Sequence, residues 1–168
     1  LDELIILNAS KNEKKIEEFA KTLEGIVEDV FIPIAAGGGI KNIDDAKLLF
    51  NSGADKLVLN SLLYKNPDMA RQIVKQYGSQ SVIASIDYKN TDENKIVFIN
   101  DGMQKIDMTL EQYIHYVQDL GVGELYLNSI DKDGTGFGYD FDTIDKVATT
   151  VKVPLIIAGG AGNESHLI

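Results

Sequence analysis

The sequence contains no cysteine, which excludes disulfides, zinc–thiolate sites and cysteine nucleophiles. It has only two histidines, His115 and His166, and neither has a partner at metal-ligand or catalytic-triad spacing, so no metal site is predicted. No apolar run approaches the roughly 20 residues that a membrane span needs. Asp2 and Glu3 stand where a signal peptide would be basic. We therefore expect a cytoplasmic protein.

Positive charge is also scarce. The chain has 16 Lys and Arg against 26 Asp and Glu among 168 residues, a formal net charge of −10 at pH 7. Binding to nucleic acids or to acidic membranes needs a basic face, so neither is an expected partner. Hydrophobic residues at 44% and charged residues at 25% are typical of a folded protein. The length fits one domain or part of one.

Short apolar runs rich in β-branched residues alternate with amphipathic segments. Strands are predicted at 3–8, 31–36, 56–60, 81–87, 124–130 and 153–158, and helices near 11–24, 43–52, 67–77, 109–120 and 140–149. These strands are apolar on both faces, which is typical of parallel strands covered by helices. Residues 88–107 break the alternation and are predicted to form a β-hairpin inserted after the fourth strand.

The sequence repeats with a constant offset of 121 positions, which is the distance from Glu3 to Glu124. The repeated pairs are Glu3-Leu4 with Glu124-Leu125, Pro33 with Pro154, and Gly38-Gly39 with Gly159-Gly160. One period holds four strand–helix modules, so two copies make eight. We therefore predict an α/β fold, the (β/α)8 TIM barrel with half-barrel duplication. An open doubly wound sheet is the alternative, but it gives no reason for the duplication.

The same offset places the first and last of the eight barrel strands outside the chain. Residues 1–168 are therefore expected to form a single domain, an incomplete TIM barrel that holds strands 2–7 only. No stretch of the sequence has the composition of a linker between domains.

In such a barrel, functional groups lie at the carboxyl ends of the strands and in the loops that follow. Two of these ends carry glycine clusters, Gly37-Gly38-Gly39 and Gly159-Gly160-Ala161-Gly162. Glycines let backbone N–H groups approach an anion closely, so the clusters are predicted to bind two phosphate groups. Tight strand-to-helix turns are the alternative interpretation.

Asp87 ends an otherwise apolar strand and is the candidate general acid or base. A helix cap or an ion pair with Lys89 is the structural alternative. Asp131 and Asp133 compete for the catalytic role, although one of them is expected to orient its loop instead.

Charged residues stand at the opposite, amino-terminal ends of three strands: Glu3, Lys56 and Glu124. Such residues are commonly just solvated. In a closed barrel, the three could instead form a ring of paired charges at its floor.

Five segments, in order, closely resemble the cyclase subunit family of imidazole glycerol phosphate synthase, from histidine biosynthesis. They are IPIAAGGGIKNIDDA, GADKLVLNS, YGSQSVIASID, GELYLNSIDKDGTGFGYD and VPLIIAGGAGN. The resemblance implies a duplicated (β/α)8 barrel without a metal or organic cofactor, in a heterodimer with a glutamine amidotransferase subunit. It also implies that ammonia crosses the barrel and reacts with a doubly phosphorylated formimino-carboxamide ribonucleotide. The products would be imidazole glycerol phosphate and aminoimidazole carboxamide ribonucleotide.

The resemblance also implies a role for particular residues. Asp87 matches a catalytic aspartate. One phosphate site is matched by Gly39, Asn60 and Ser61, and part of the other by Asp133, Gly134 and Gly160. Three of the four residues of the ammonia gate are matched by Glu3, Lys56 and Glu124, while Asp55 matches a position that faces the amidotransferase.

The sequence departs from the family pattern at several points. Where the family has L-D-I-x-A-S, Leu7 is followed by Asn8-Ala9-Ser10, and Asn128 stands where histidine-pathway members have a threonine. The family's first strand, with another catalytic aspartate, has no counterpart, so segment 1–168 alone is expected to be inactive.

Asn128 and the stretch 136–139 resemble a paralogous group found with surface-polysaccharide genes, whose implied role is to deliver ammonia for the amidination of a sugar. A non-catalytic fragment that only docks an amidotransferase is the third alternative.

Overall fold

The computed structural model describes residues 2–10, 15–91 and 94–166, which form eight strands and six α-helices. The strands are β1 (Leu4–Leu7), β2 (Ile34–Gly37), β3 (Lys56–Leu59), β4 (Val82–Asn90), β5 (Lys95–Ile99), β6 (Gln104–Thr109), β7 (Glu124–Ser129) and β8 (Leu155–Ala158). The helices are α1 (Ile16–Val27), α2 (Ile43–Asn51), α3 (Ser61–Lys65), α4 (Pro67–Tyr77), α5 (Leu110–Asp119) and α6 (Phe141–Ala148). The chain divides into two compact units, residues 1–83 and 84–168, called here the first and second unit.

All six predicted strands and all five predicted helices are confirmed within a few residues. The first helix was predicted from residue 11, but 11–14 lie outside the described residues, and α1 runs over Ile16–Val27. Strand β2 begins at Ile34, later than predicted, because Pro33 has no N–H to donate to the sheet. The short helix α3, which follows β3 at once, was not predicted.

The first unit is built on three parallel strands. β1 pairs with β2 and β2 with β3, so that Leu4 lies opposite Ile34 and Ala35 opposite Lys56. All four residues of β2 are buried. Helix α1 turns a buried face, which includes Phe19 and Leu23, toward the core, as its helical spacing predicts.

The second unit combines parallel and antiparallel strands. β7 pairs with β8 in parallel and also with β4. The predicted hairpin is confirmed: β4 runs on to Asn90 and pairs antiparallel with β5, with Asp87 opposite Phe98, and β5 pairs antiparallel with β6. The β5–β6 turn holds Asn100 and Asp101 at positive φ, as a tight hairpin turn requires.

Capping side chains set the starts of several helices. Asn42 accepts a hydrogen bond from the first turn of α2, and Asn66 does the same for α4, whose first residue is Pro67. Thr109 and Gln112 form a reciprocal capping box at the start of α5. Among the described residues, no helix is long and apolar enough to cross a membrane.

The predicted duplication is present in the strand pairing of the two units. Leu4 lies opposite Ile34 and Leu125 opposite Leu155, and the next three pairs of each ladder keep the same offset. The Leu4 N–H donates to the Pro33 carbonyl at 3.0 Å, and the Leu125 N–H donates to the Pro154 carbonyl at 2.9 Å. The two strand pairs are therefore copies of one structural unit.

Candidate active site at the carboxyl ends of the strands

Asp87 lies half-buried in the carboxyl-terminal half of β4, beside β7. Its Oδ1 accepts a hydrogen bond from Asn128 Nδ2 at 2.9 Å. The ammonium group of Lys89, the predicted structural partner, lies 5.0 Å from the centre of the Phe98 ring, at cation–π distance. A half-buried carboxylate oriented by an amide is a suitable general acid or base.

One face of β7 carries polar side chains, and the last of them, Asn128, contacts Asp87. Glu124, Tyr126 and Asn128 alternate with buried residues and are themselves half-buried. Burial raises the pKa of Tyr126, and the negative charges of Asp87 and Asp133 raise it further. Tyr126 was not among the predicted site residues. The alternation of polar and apolar residues in ELYLNS is the available signal, and β7 differs here from the predicted strands that are apolar on both faces.

The two aspartates of the loop after β7 have different surroundings. Asp131 Oδ2 accepts a hydrogen bond from the Asn90 backbone N–H at 2.6 Å, so this carboxylate ties the loop to the end of β4. This contact fits the expectation that one of the pair orients the loop. Asp133 is exposed, and so is Gly134, whose φ is +71°.

The glycine clusters are required by the backbone in both units. Gly38 and its repeat equivalent Gly159 have φ of +98° and +89°. A Cβ at Gly38 would lie 2.7 Å from the Asn8 carbonyl oxygen, and one at Gly159 would lie 2.5 Å from that of Ser129. The alternative interpretation, tight turns after the strands, is thus present in the fold. Phosphate binding by Gly39 and Gly160 stays a prediction.

Asn60 and Ser61 follow β3 in the first unit, as predicted. Both are half-buried, and the Ser61 hydroxyl donates to Asn60 Oδ1 at 3.3 Å. The structure thus brings Asn60 and Ser61 together at the carboxyl end of one strand.

The amino-terminal ends of the first unit's strands carry an ion pair. Lys56 Nζ lies 3.1 Å from Glu3 Oε2, and each side chain is 22% exposed. The second carboxylate oxygen, Glu3 Oε1, is buried and accepts no hydrogen bond within the described residues. Asp55, which is exposed, accepts a hydrogen bond from the Ile34 N–H at 2.8 Å and so holds the start of β2. Glu124 is half-buried at the start of β7.

A second cluster, which was not predicted from the sequence, consists of one carboxylate, that of Asp140, and the neutral side chains that donate hydrogen bonds to it. Asp140 Oδ2 accepts hydrogen bonds from Tyr88 Oη and Asn90 Nδ2, each at 3.1 Å, and from Thr143 Oγ1 at 2.5 Å. Burial alone would raise the pKa of Asp140, but the hydrogen bonds from Thr143, Asn90 and Tyr88 outweigh it and hold this pKa below its ordinary value. Burial also raises the pKa of Tyr88 to about 12.

Metal ligands are not clustered in the part of the chain that the structure describes, where no group of three or more His, Asp or Glu side chains could hold an ion. The His166 ring accepts a hydrogen bond from the Gly162 N–H at 3.0 Å, which is a structural contact in the loop after β8.

Parallel strands with an acid–base candidate, amide side chains and glycine turns at their carboxyl ends define the class: an α/β protein of the kind that forms (β/α)8-barrel enzymes. The family model described as "Histidine biosynthesis protein" matches residues 1–168. The chain belongs to this family, whose fold is the TIM barrel, and the predicted fold class is confirmed.

Individual relatives agree with the family assignment. The chain is 36% identical over 165 residues to imidazole glycerol phosphate synthase subunit HisF of Pyrobaculum aerophilum, and 40% identical over 169 residues to the HisF subunit of Chlorobium limicola. It is 39% identical over 168 residues to a protein of Parasynechococcus marenigrum that is provisionally named imidazole glycerol phosphate synthase subunit hisF2.

The matches cover 98% to 100% of this chain. The chain spans 62%, 65% and 66% of the length of the hisF2, Pyrobaculum and Chlorobium relatives, which is less than two thirds. The predicted family resemblance is confirmed.

Proposed function

We propose that the full-length protein is the ammonia-dependent cyclase subunit of imidazole glycerol phosphate synthase. The observation that carries this proposal is the half-buried Asp87 carboxylate, held by Asn128 at the carboxyl ends of β4 and β7 in a member of the histidine biosynthesis family. The substrate would be the doubly phosphorylated formimino-carboxamide ribonucleotide, and the products imidazole glycerol phosphate and aminoimidazole carboxamide ribonucleotide. This proposal carries with it the cytoplasmic location expected from the sequence.

Asp87 is the proposed general acid and base of the cyclisation. Forming an imidazole ring from an open formimino compound and ammonia requires protons to be moved to and from nitrogen and carbonyl groups. A positioned carboxylate can perform both transfers in turn, and such a group typically contributes about 10²–10⁴-fold to the rate.

The two ends of the substrate carry phosphates, for which we propose two sites. Gly39, Asn60 and Ser61 would hold one phosphate, and Asp133, Gly134 and Gly160 would lie at the other. The positive φ of Gly39, +97°, supports this role at the first site, because a residue without a Cβ lets backbone N–H groups approach an anion. At Gly160, where φ is +107°, a Cβ would meet the Gly138 carbonyl oxygen, so this glycine lets the backbones of two loops pack closely beside the second site.

Ammonia would enter from a glutamine amidotransferase subunit at the opposite ends of the strands. The Glu3–Lys56 ion pair supports a gate there, with Glu124 as its third member and Asp55 at the partner interface. A closed ion pair excludes bulk water, yet a small neutral molecule needs only a modest side-chain movement to pass.

The test of the reaction is turnover by the full-length protein with the ribonucleotide and ammonium chloride. We expect Asp87→Asn to lower kcat by about 10²–10⁴-fold and to leave the fold intact. Asp107→Asn, an exposed carboxylate on β6, is the matched control and should leave turnover unchanged. A loss of less than tenfold at Asp87 would assign the chemistry to another group, with Asp133 as the next candidate. An inactive wild-type protein would refute the cyclase function.

The phosphate sites have a separate test. Crystals of the full-length protein grown in high phosphate should show one ion near Gly39, Asn60 and Ser61 and another near Gly134 and Gly160. An ion at only one cluster would contradict a substrate with two phosphates.

A second candidate is the paralogue that delivers ammonia for the amidination of a sugar. Asn128, in place of the histidine-pathway threonine, favours it. It predicts no turnover of the histidine-pathway ribonucleotide together with stable binding of an amidotransferase subunit, which size-exclusion chromatography of the mixed proteins would detect. A docking protein without any catalytic role would also bind the amidotransferase subunit. In that case Asp87→Asn would not change the rate of a coupled sugar-amidination assay.

A further inference from the structure

The contact between Asn128 and Asp87 joins two strands at the candidate active site. Asn128 is the last of the three half-buried residues on its face of β7, and Asp87 is half-buried on β4. Since an ionised carboxylate carries no hydrogen, the Asn128 atom that faces it must be the amide nitrogen, in agreement with the 2.9 Å Nδ2–Oδ1 distance. The orientation of the Asn128 amide is therefore defined by its partner.

The duplication shows that the fold does not require an amide at this position. The repeat offset places Leu7 of β1 at the position of Asn128, and Leu7 lies opposite Gly37 as Asn128 lies opposite Ala158. Ile5 likewise occupies the position of Tyr126. The same backbone thus carries an aliphatic side chain in one copy and an amide in the other, and the amide is the one that contacts a candidate catalytic carboxylate.

We propose that Asn128 is a positioning residue that holds the Asp87 carboxylate in its reactive orientation. The inference rests on the proposed function in that Asp87 must be the acid–base group. An amide suits this task because it donates a hydrogen bond without taking up or releasing a proton itself. Orientation matters for rate, because a misplacement of about 1 Å can cost ~10²-fold in turnover.

The kinetic test compares valine and threonine, two side chains of nearly equal shape, at position 128 of the full-length protein. The substrates are the ribonucleotide and ammonium chloride. Asn128→Val removes the donor, and Asn128→Thr restores one as a hydroxyl. We expect Asn128→Val to lower kcat by about 10–100-fold with KM within about twofold, and Asn128→Thr to recover most of that loss. Equal kcat values for the Val and Thr variants, or a change confined to KM, would overturn the proposal.

A double variant separates positioning from a loss of stability. In Asp87→Asn, the group that Asn128 orients is already absent, so adding Asn128→Val should lower kcat by no more than about twofold further. A full additional 10–100-fold loss would show that Asn128 acts independently of Asp87 and would overturn the proposal. Thermal unfolding midpoints of the Val and Thr variants should agree, since the two side chains have nearly the same shape and volume.

A structural readout decides the inference even if the proposed reaction fails. Crystal structures of full-length wild type and Asn128→Val should show the Asp87 carboxylate rotated away in the variant, and the Thr variant should keep the wild-type orientation. An Asp87 conformer that does not change in Asn128→Val would overturn the positioning role. An inactive wild type with a rotated Asp87 in the variant would refute the cyclase function and leave the positioning role in place.

Discussion

Asp140 accepts hydrogen bonds from three side chains of the second unit. Tyr88 and Asn90 donate to it from β4, and Thr143 donates to it from the first turn of α6. One carboxylate therefore caps a helix and ties that helix to the strand that carries Asp87. Hydrogen bonds to a charged acceptor are stronger than those between neutral groups, so this cluster should matter for stability.

We expect Asp140→Asn to lower the free energy of unfolding at pH 7 by about 1–3 kcal/mol, because four donors, three side chains and the Thr143 N–H, lose a charged acceptor. The depressed pKa of Asp140 means that its charge contributes stability above the ordinary aspartate pKa, and that this contribution is lost as the pH falls through the lower, folded-state pKa. The deficit of Asp140→Asn should therefore shrink as the pH falls below about 4. Urea unfolding of the full-length protein from pH 7 to pH 3 measures this difference.

Asp142→Asn is the matched control for Asp140. Asp142 lies exposed in the same first turn of α6 and contributes only to the charge at the helix start, which is worth about 0.3–1 kcal/mol. If the two variants lose equal stability at pH 7, the hydrogen bonds to Asp140 add nothing beyond this helix-dipole effect.

At the scale of elements, the turns after β2 and β8 each depend on a glycine at positive φ, Gly38 in one and Gly159 in the other. We expect Gly159→Ala to lower the free energy of unfolding of the full-length protein by about 2 kcal/mol or more, because φ is +89° and the new Cβ would meet the Ser129 carbonyl oxygen at 2.5 Å. Gly25→Ala is the control: Gly25 lies within α1 with nothing within 4 Å of the new Cβ, so this change should raise stability by about 0.5–1 kcal/mol. Chemical denaturation of both variants provides the comparison, and a Gly159→Ala protein as stable as wild type would show that the turn can rearrange.

The elements themselves could be predicted from the sequence because their signals are local. Apolar runs, helical spacing, the Asn66-Pro67 start of α4 and the polar breaks of the hairpin each lie within a few residues of one another. The repeat offset predicted a duplicated fold, and the structure shows that strand pairs 121 positions apart have the same register. Helix α3 was missed because its five residues, Ser61–Lys65, are too few to show a period.

The contacts of the candidate site could not be predicted in the same way. Asp87 and Asn128 are 41 residues apart in the sequence, and Asn90 and Asp140 are 50 apart. No local pattern links residues at such distances; only the packing of β4 against β7 and the loops brings them together. Asp87 was found because it ends an otherwise apolar strand, whereas Asp140, between Tyr139 and Phe141 at the start of a helix, carried no comparable signal.

At the scale of the whole molecule, the Glu3–Lys56 ion pair is the proposed ammonia gate. If the pair is a gate, we expect Lys56→Ala in the full-length protein to leave ammonium-driven turnover largely intact, because free ammonia would not need to pass it. Glutamine-driven turnover with the amidotransferase subunit should fall or become uncoupled from glutamine hydrolysis, since the ammonia must then cross the altered floor. Assays of both reactions with the same protein measure the ratio of glutamine-driven to ammonium-driven turnover.

Lys47→Ala, an exposed lysine on α2, is the control and should change neither activity. Equal losses of both activities in Lys56→Ala would leave the Glu3–Lys56 pair with a structural role only, worth about 0–1 kcal/mol for a partly exposed pair.

The matching registers of β1–β2 and β7–β8 show what changed after an ancestral half was copied. Positions that hold the backbone kept their residue type, such as Pro33 and Pro154 or Gly38 and Gly159. On the face that Glu3 and Glu124 share, the later positions diverged, from Ile5 and Leu7 in one copy to Tyr126 and Asn128 in the other. One strand of the duplicated pair therefore carries the amide that contacts Asp87, while the equivalent strand carries aliphatic side chains on the same backbone register. A comparison of the two halves thus shows which positions of this fold can change residue type while the strand pairing stays the same.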